Sequence, residues 1–511
     1  MNNFQSGSKE SFRFPMLGVL AVFLLFFLWI YTLLWAFSGY PVFRDQHLGT
    51  AIEYSKHGID LLRPVIVGYN ATGTGTPQEL PIWQALAALA LRVSGGWWGA
   101  ANVVSLLLFT IFLPALYFAA KWDKGREFGW LAVALIIVQP IVFHLAGSGS
   151  TDGFSLALLM GFIGTAEWLR RKRSALSFAS CLIVATLLGV TKLPFLMVGG
   201  IAAALMLLWN RHHLRDWVAL ASVGFIAAIV FFFWNLWCDA EIGRAVFKYR
   251  PLTAKEIPHW FFGTLEMRLS PGIYVKAGWK ALNSLWGSFI LVGLTIYGLI
   301  RYPKSLGSAL LFACLVVTMI FFNLVTTHRH YYLMFAPAVA LLNASALWDM
   351  YQIFSLRVTW QKVAAAIALA GLLILSLFQG LIGIEAVTAS DPFPKRVANQ
   401  LAANTKKNDK ILIINGGWGG EILIRAGRKG LSADNTKLLE NPQTRQRLLD
   451  LGYTKLAIVS ESPLVHALQV TNPGGADLKR TTWEDSISLD ASHWARAFSS
   501  DELCIVDIQD F

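Results

Sequence analysis

The stretch Phe43-Arg44-Asp45-Gln46-His47-Leu48 follows an apolar run over residues 16–37, and this pairing decides how the chain is read. The run is long enough to cross a bilayer, which needs about 20 apolar residues. It is too long for a cleaved signal and lacks a small-residue cleavage site. Asp45 therefore stands close to a membrane surface. A carboxylate held there is placed to take a proton from an acceptor brought to a lipid-linked donor. Helix capping or plain interfacial solvation accounts for the same residue without chemistry.

Composition extends the membrane reading to the whole chain. Of 511 residues, 55% are hydrophobic and only 14% charged, with 20 Trp and 34 Phe. Soluble domains carry about 25% charged residues. The net charge of +12 does not imply nucleic acid, because the basic residues sit in short clusters between apolar runs. Cys181, Cys238, Cys314 and Cys504 are scattered, so neither a disulfide framework nor a cysteine metal site is expected. A divalent metal is compatible with the sequence, but no tight ligand cluster calls for one and no cofactor is implied.

About eleven spans are expected, near residues 16–37, 98–120, 128–147, 152–169, 174–190, 193–209, 217–237, 281–300, 307–325, 331–350 and 363–384. Lys121/Lys124/Arg126, Arg170 to Arg173, Arg211/Arg215, Arg301/Lys304 and Arg357/Lys362 fall in alternate short loops. The positive-inside rule makes these cytoplasmic. The N-terminus is then inside. The long loops near 39–97 and 238–280 and the C-terminal region lie outside. The expected division is a membrane domain over 1–384 and an extracytoplasmic α/β domain over 385–511. In the latter, residues 411–415, 456–460 and 503–508 read as strands, and 441–451 as a helix stopped by Gly452. Gly416-Gly417-Trp418-Gly419-Gly420 is not GxGxxG and reads as a turn or as part of an acceptor or partner surface.

In the first long loop, residues 45–57 are expected as a helix along the interface, with Leu48, Ala51 and Ile52 on its apolar side and Gly58 ending it. A second helix beginning near Glu79-Leu80-Pro81-Ile82-Trp83 and reaching Val93 is too short to span. Further ionisable residues map to the same outer face. Asp152, in Gly147-Ser148-Gly149-Ser150-Thr151-Asp152-Gly153, starts a span, where the helix dipole alone would favour an anion. Lys192, in Thr191-Lys192-Leu193-Pro194, lies between two apolar spans, where it either snorkels or meets a lipid phosphate. His328-Arg329-His330-Tyr331-Tyr332 offers phosphate donors, although belt anchoring explains the tyrosines. Ionisable groups at a membrane boundary are functional candidates.

These pieces together resemble the GT-C fold glycosyltransferases, in the branch containing protein O-mannosyltransferases and lipid A aminoarabinose transferases. The matching segments are Phe43-Arg44-Asp45-Gln46, Glu79-Leu80-Pro81-Ile82-Trp83, Ser150-Thr151-Asp152, Thr191-Lys192-Leu193-Pro194 and Arg329-His330-Tyr331-Tyr332, across residues 10–350. Relatives often carry Asp-Glu where this chain has Asp45-Gln46. The resemblance implies a polytopic α-helical protein that uses a polyprenyl-phosphate sugar as donor, and the short loops and lack of an organelle signal point to a bacterial inner membrane. The acceptor would be a glycan, a lipid or a protein. It implies Asp45 as general base, Asp152 as its catalytic support, and Lys192, Arg329, His328 and His330 on the donor phosphate. Arg44, Glu79, Tyr331 and Tyr332 would contact substrate. A transporter or flippase for a lipid-linked sugar and a non-catalytic scaffold are the competing readings.

Overall fold

A computed structural model of the chain describes residues 15–37, 45–67, 79–210, 213–244, 257–355, 371, 374, 378, 392–414, 420–433, 439, 441–459, 498–499 and 503–508. Helices come first: α1 (Pro15–Ala36), α2 (Asp45–His57), α3 (Ile82–Val93), α4 (Ala100–Lys124), α5 (Arg126–Ile137), α6 (Pro140–Leu145), α7 (Thr151–Lys172), α8 (Ala175–Thr191), α9 (Leu193–Trp209) and α10 (Leu214–Gly243). Then α11 (Pro258–Phe262), α12 (Leu265–Leu269) and α13 (Pro271–Ala281) lead through a π-helical turn, Leu282–Trp286, to α14 (Phe289–Arg301), α15 (Leu306–Ile320) and α16 (Phe322–Thr327). A 3-10 turn, Arg329–Phe335, opens α17 (Ala336–Ser355). The C-terminal part contains α18 (Pro392–Ala403), β1 (Lys410–Ile414), α19 (Glu421–Arg425), β2 (Lys429–Ala433), α20 (Pro442–Asp450), β3 (Tyr453–Val459), β4 (Phe498–Ser499) and β5 (Leu503–Asp507).

The chain divides into two units. The first comprises Met1–Pro41, Asn102–Phe232 and Pro258–Thr388; the second comprises Val42–Ala101, Phe233–Ile257 and Ala389–Phe511. The expected domain boundary between residues 384 and 385 lies outside the described residues.

In the helical unit, large apolar side chains face outward. Val19, Phe23 and Leu34 of α1, Phe225 and Phe232 of α10, and Phe289 and Ile300 of α14 are each more than half exposed. Such a surface is unfavourable against water and suits hydrocarbon. Among the described residues, four helical stretches are long and apolar enough to cross a membrane: Leu17–Ala36, Ala100–Lys124, Leu214–Gly243 and Arg329–Gln352. Pro271–Trp286 with Phe289–Arg301, bent by 90°, makes a fifth if the pair is one span. Of the other expected spans, 152–169 lies in α7, which has 22 residues but is not among these stretches, and the rest are shorter or broken. The helices α8 and α9 have 17 residues each and α15 has 15. The expected 128–147 span divides into α5 and α6 because Pro140 lacks the N–H that would continue the ladder. The last expected span, 363–384, lies outside the described residues apart from 371, 374 and 378.

Helix α7 is the inner element of this unit, buried at every position from Thr151 to Gly164. It approaches α4 so closely that a Cβ on Gly164 would lie 2.6 Å from the Ala115 Cβ and 2.7 Å from its carbonyl oxygen.

The second unit is built on a five-stranded sheet of order β2-β1-β3-β5-β4. The strand β1 pairs in parallel with β2 and β3, whereas β5 runs antiparallel to β3 and β4. Ile411 and Ile413 face one apolar cluster, Leu412 and Ile414 the other. That alternation follows from the two-residue strand period with both faces covered. The strands expected from sequence at β1, β3 and β5 are present, as is α20, capped by the Asn441 side chain and stopped before Gly452 at φ +83°. Of the glycine-rich stretch 416–420, only Gly420 lies within the described residues.

One expectation changes. The apolar side of α2 was expected against the membrane interface, yet Leu48 and Ala51 are fully buried by protein. Ile52 packs on the cluster formed by Val397, Leu401, Ile411 and Ile424. Gly49 permits this contact, since a Cβ there would meet Ile424 at 2.9 Å. Thus α2 belongs to the core of the sheet-bearing unit rather than to lipid. Replacing Gly164 by Val should lower the thermal unfolding midpoint, costing about 1–3 kcal/mol through overpacking. Gly224→Ala, at a helical position with nothing within 4 Å of the added carbon, should leave that midpoint unchanged or raise it.

Candidate active site

The loop before α7 is held from several sides. Asn102 donates to the Gly147 carbonyl at 2.7 Å, and Ser148 donates to Leu145 at 2.9 Å. Gly149 adopts φ +63°. Ser150 caps α7, accepting from the Asp152 backbone N–H at 3.4 Å. Gly153 lets the first turn approach α6, because a Cβ there would lie 2.7 Å from the Leu145 carbonyl oxygen. The glycines and serines of this stretch thereby fix where Asp152 stands.

Lys192 is a one-residue break. It is extended, at φ −156° and ψ 92°, and forms both the C-cap of α8 and the N-cap of α9. Pro194 explains the break, since its ring would clash with the carbonyl four residues back in a continuous helix. The Lys192 ammonium forms an ion pair with Asp152, 40 residues away. Both side chains are enclosed by protein, at 0% exposure for Asp152 and 4% for Lys192. The Lys192 charge is thus matched by a carboxylate inside the fold. The ammonium also lies 5.3 Å from the centre of the Tyr331 ring, within cation–π range.

Through Tyr331 the pair joins the 328–332 segment. The His330 and Tyr331 rings are 4.7 Å apart, and those of His328 and His330 5.4 Å. Arg329 is half-buried in the same segment. Its Nε donates to Ser284 Oγ at 2.9 Å. The guanidinium has five N–H donors. Its Nη groups make no bond to the described residues. They remain accessible, as two N–H-bearing prongs of the geometry that pairs with planar or tetrahedral anions.

A strap of helix that sequence reasoning missed holds this segment. Lys280 at the end of α13 donates to the carbonyls of Thr326 and Thr327 at 3.2 and 3.0 Å, capping α16 just before His328. The Tyr332 hydroxyl donates to the Ala277 carbonyl at 3.1 Å, and Ser284 comes from the π-helical turn. The bend after it uses Gly287 at φ +65°. Neither Lys280 nor Ser284 carries a local signature that marks it in the sequence.

Asp45 and Glu79 belong to the second unit. Asp45 is the first residue of α2; its side chain and Arg44 lie outside the described residues. Glu79 faces His47 at 3.8 Å, and His47 lies 6.1 Å from the Trp83 ring. Arg92 of α3 donates to the carbonyls of Tyr54 and Ser55 at 2.7 and 2.9 Å, which closes the C-terminal end of α2. The Tyr54 hydroxyl donates to the Asp60 carbonyl, and burial, then the Asp60 charge, push this phenol well above its usual pKa. Among the described residues, no group of three or more His, Cys, Asp or Glu side chains converges.

Removing one partner of the Asp152–Lys192 pair should expose its cost. Asp152→Asn leaves a buried ammonium without a counter-charge and should destabilise by about 3–5 kcal/mol in thermal unfolding. Combined with Lys192→Met, the same change should recover much of that loss, which a double-mutant cycle would measure.

No family profile and no curated protein matches the sequence. Solved structures do match. ArnT from Cupriavidus metallidurans bound to undecaprenyl phosphate superposes with a TM-score of 0.61 at 12% identity, covering 96% of this chain and 98% of that one. The oligosaccharyltransferase of Archaeoglobus fulgidus in its apo form gives 0.52 at 12% identity, covering 88% and 70%. The mycobacterial arabinofuranosyltransferase AftD gives 0.51 at 15% identity, covering 96% of this chain but 41% of that larger protein. The fold of this chain is the GT-C fold.

Proposed function

We propose that this protein is a membrane glycosyltransferase, moving a sugar from a polyprenyl-phosphate donor to an acceptor hydroxyl at the outer face of the membrane. The observation that carries this reading is Arg329: a half-buried guanidinium fixed through Nε to Ser284, with its Nη donors making no bond to the described residues. Such a fork matches the oxygens of a phosphate. The fold likeness adds to it, since the ArnT structure holds undecaprenyl phosphate and an Archaeoglobus fulgidus AglB structure holds dolichol-phosphate.

In this mechanism Arg329, with His328 or His330, binds the donor phosphate and stabilises the charge that develops as it leaves. Lys192 adds its ammonium from the side, held charged and aimed by Asp152. Asp45 removes the proton of the acceptor hydroxyl as its oxygen bonds to the anomeric carbon. The bond from that carbon to the phosphate oxygen breaks on the opposite face, so the anomeric centre inverts and prenyl phosphate departs. Arg44, Glu79, Tyr331 and Tyr332 contact the substrates. About eleven spans cross the membrane, with the short helices α8, α9 and α15 each taken as part of a span of its own. The N-terminus is cytoplasmic and the sheet-bearing region extracytoplasmic, in an inner membrane.

Purified protein given a radiolabelled prenyl-phosphate sugar and envelope acceptors should release prenyl phosphate. Movement of the lipid across a vesicle without cleavage would overturn the reading in favour of a flippase. Asp45→Asn should lower turnover at least 100-fold with normal expression, which is the scale of general-base catalysis. Arg329→Gln should raise the KM for donor as well as lower kcat, because it acts on both the bound and the departing phosphate.

A further inference from the structure

A second site lies wholly within the sheet-bearing unit. A cleft of about 640 Å³ runs between the C-terminal half of α2 and the starts of β1 and β2. That volume falls in the range of small-molecule sites, about 300–1,000 Å³. Its floor is apolar, formed by Ile52, Val67 and Ile424, with open space over Gly427. Its rim is basic: Lys56, Lys407, Lys410, Arg428 and Lys429 stand against the two carboxylates Glu53 and Asp409.

The pairing within the rim leaves positive charge over. Glu53 is met by Lys429 at 3.1 Å, so these two offset each other. Asp409 accepts from the Lys406 backbone N–H at 2.7 Å. Lys410 and Arg428 are anchored on neutral oxygens: Lys410 on the Leu451 carbonyl at 2.6 Å, Arg428 on Thr405 and the Ala402 carbonyl at 2.9 and 2.8 Å. Both are therefore held in place with their charge intact. Lys56 and Lys407 are exposed and make no bond or ion pair with the described residues.

We infer that this cleft binds a phosphorylated saccharide, its phosphoryl group between Lys56 and Lys407 and an apolar face of its sugar ring on Ile52, Val67 and Ile424. Two mobile ammonium groups suit a dianion. A shallow floor of apolar side chains under a charged rim suits the C–H face of a ring better than an acyl chain, which needs a deeper and wholly apolar slot. The cleft shares α2 with Asp45, about 16 Å away along the helix at 1.5 Å per residue. An acceptor glycan anchored by its phosphate here would lie along the helix that carries the proposed base. That last role rests on the transferase reading; the binding does not.

The test uses the full-length protein in neutral detergent, without donor, and calorimetry with glucose 1-phosphate, glucose and inorganic phosphate. Glucose 1-phosphate should bind at least tenfold more tightly than either of the others, and more weakly as salt rises. The Lys56→Ala/Lys407→Ala variant, altered only at exposed positions, should weaken that binding at least tenfold, and Lys395→Ala, outside the cleft, should leave it unchanged. Equal affinity for inorganic phosphate would overturn the saccharide assignment. So would loss of binding in phosphatidylglycerol nanodiscs but not in phosphatidylcholine ones, which would give the cleft to a lipid headgroup. Unchanged binding in the double variant would remove the site altogether. Because donor is absent, failure here leaves prenyl-phosphate release untouched, and the reverse holds as well.

Discussion

The Asp152–Lys192 ion pair is the constraint around which the helical unit is arranged. It joins the first turn of α7, the innermost helix, to the break between α8 and α9. Taking both charges out of water is expensive, and an apolar pair of equal volume would serve packing as well or better. What an apolar pair cannot supply is a positive charge in a dry setting. Near the start of α7 the helix dipole is itself positive, so an ammonium there is tolerated only with a carboxylate beside it. The pair fixes a cation where electrostatic interactions are strong, with the Tyr331 ring 5.3 Å away.

Around this pair the fold spends irregular backbone. Lys192 is extended between two helices, Arg329 opens a 3-10 turn, and Ser284 sits in a π-helical turn before a 90° bend. Irregular backbone at membrane depth is stable only where protein satisfies its polar groups. Here side chains do so: Lys280 for the end of α16, Ser150 for the start of α7, and Gln139, which donates to the Ala336 carbonyl at 2.8 Å where α17 begins.

Much of this was legible in the sequence, and for identifiable reasons. The runs of apolar residues announced helices, and Gly147 to Gly153 and Thr191 to Pro194 announced breaks, because glycine and proline act locally. The limits of α2 and three of the five strands were readable from capping residues and short apolar runs. The partnership of Asp152 with Lys192 was not, since nothing within either segment encodes which distant charge it meets. The strands β2 and β4 were missed because Lys429-Gly430-Leu431-Ser432-Ala433 and Phe498-Ser499 carry too few apolar residues to form a pattern; pairing with β1 and β5 makes them strands. The apolar face of α2 was read correctly as apolar and assigned to the wrong neighbour. A moment along a helix shows that a side seeks cover and does not say whether lipid or protein provides it.

That reassignment has a mechanical consequence. Bilayers differ in thickness, and helices with lipid-facing side chains tilt or slide to match. The helix α2 packs Ile52 on Ile424 and its neighbours, and its far end is latched by Arg92. Its position is set by the core of the sheet-bearing unit, so the backbone that opens α2 at Asp45 is referenced to protein packing and not to the thickness of a bilayer.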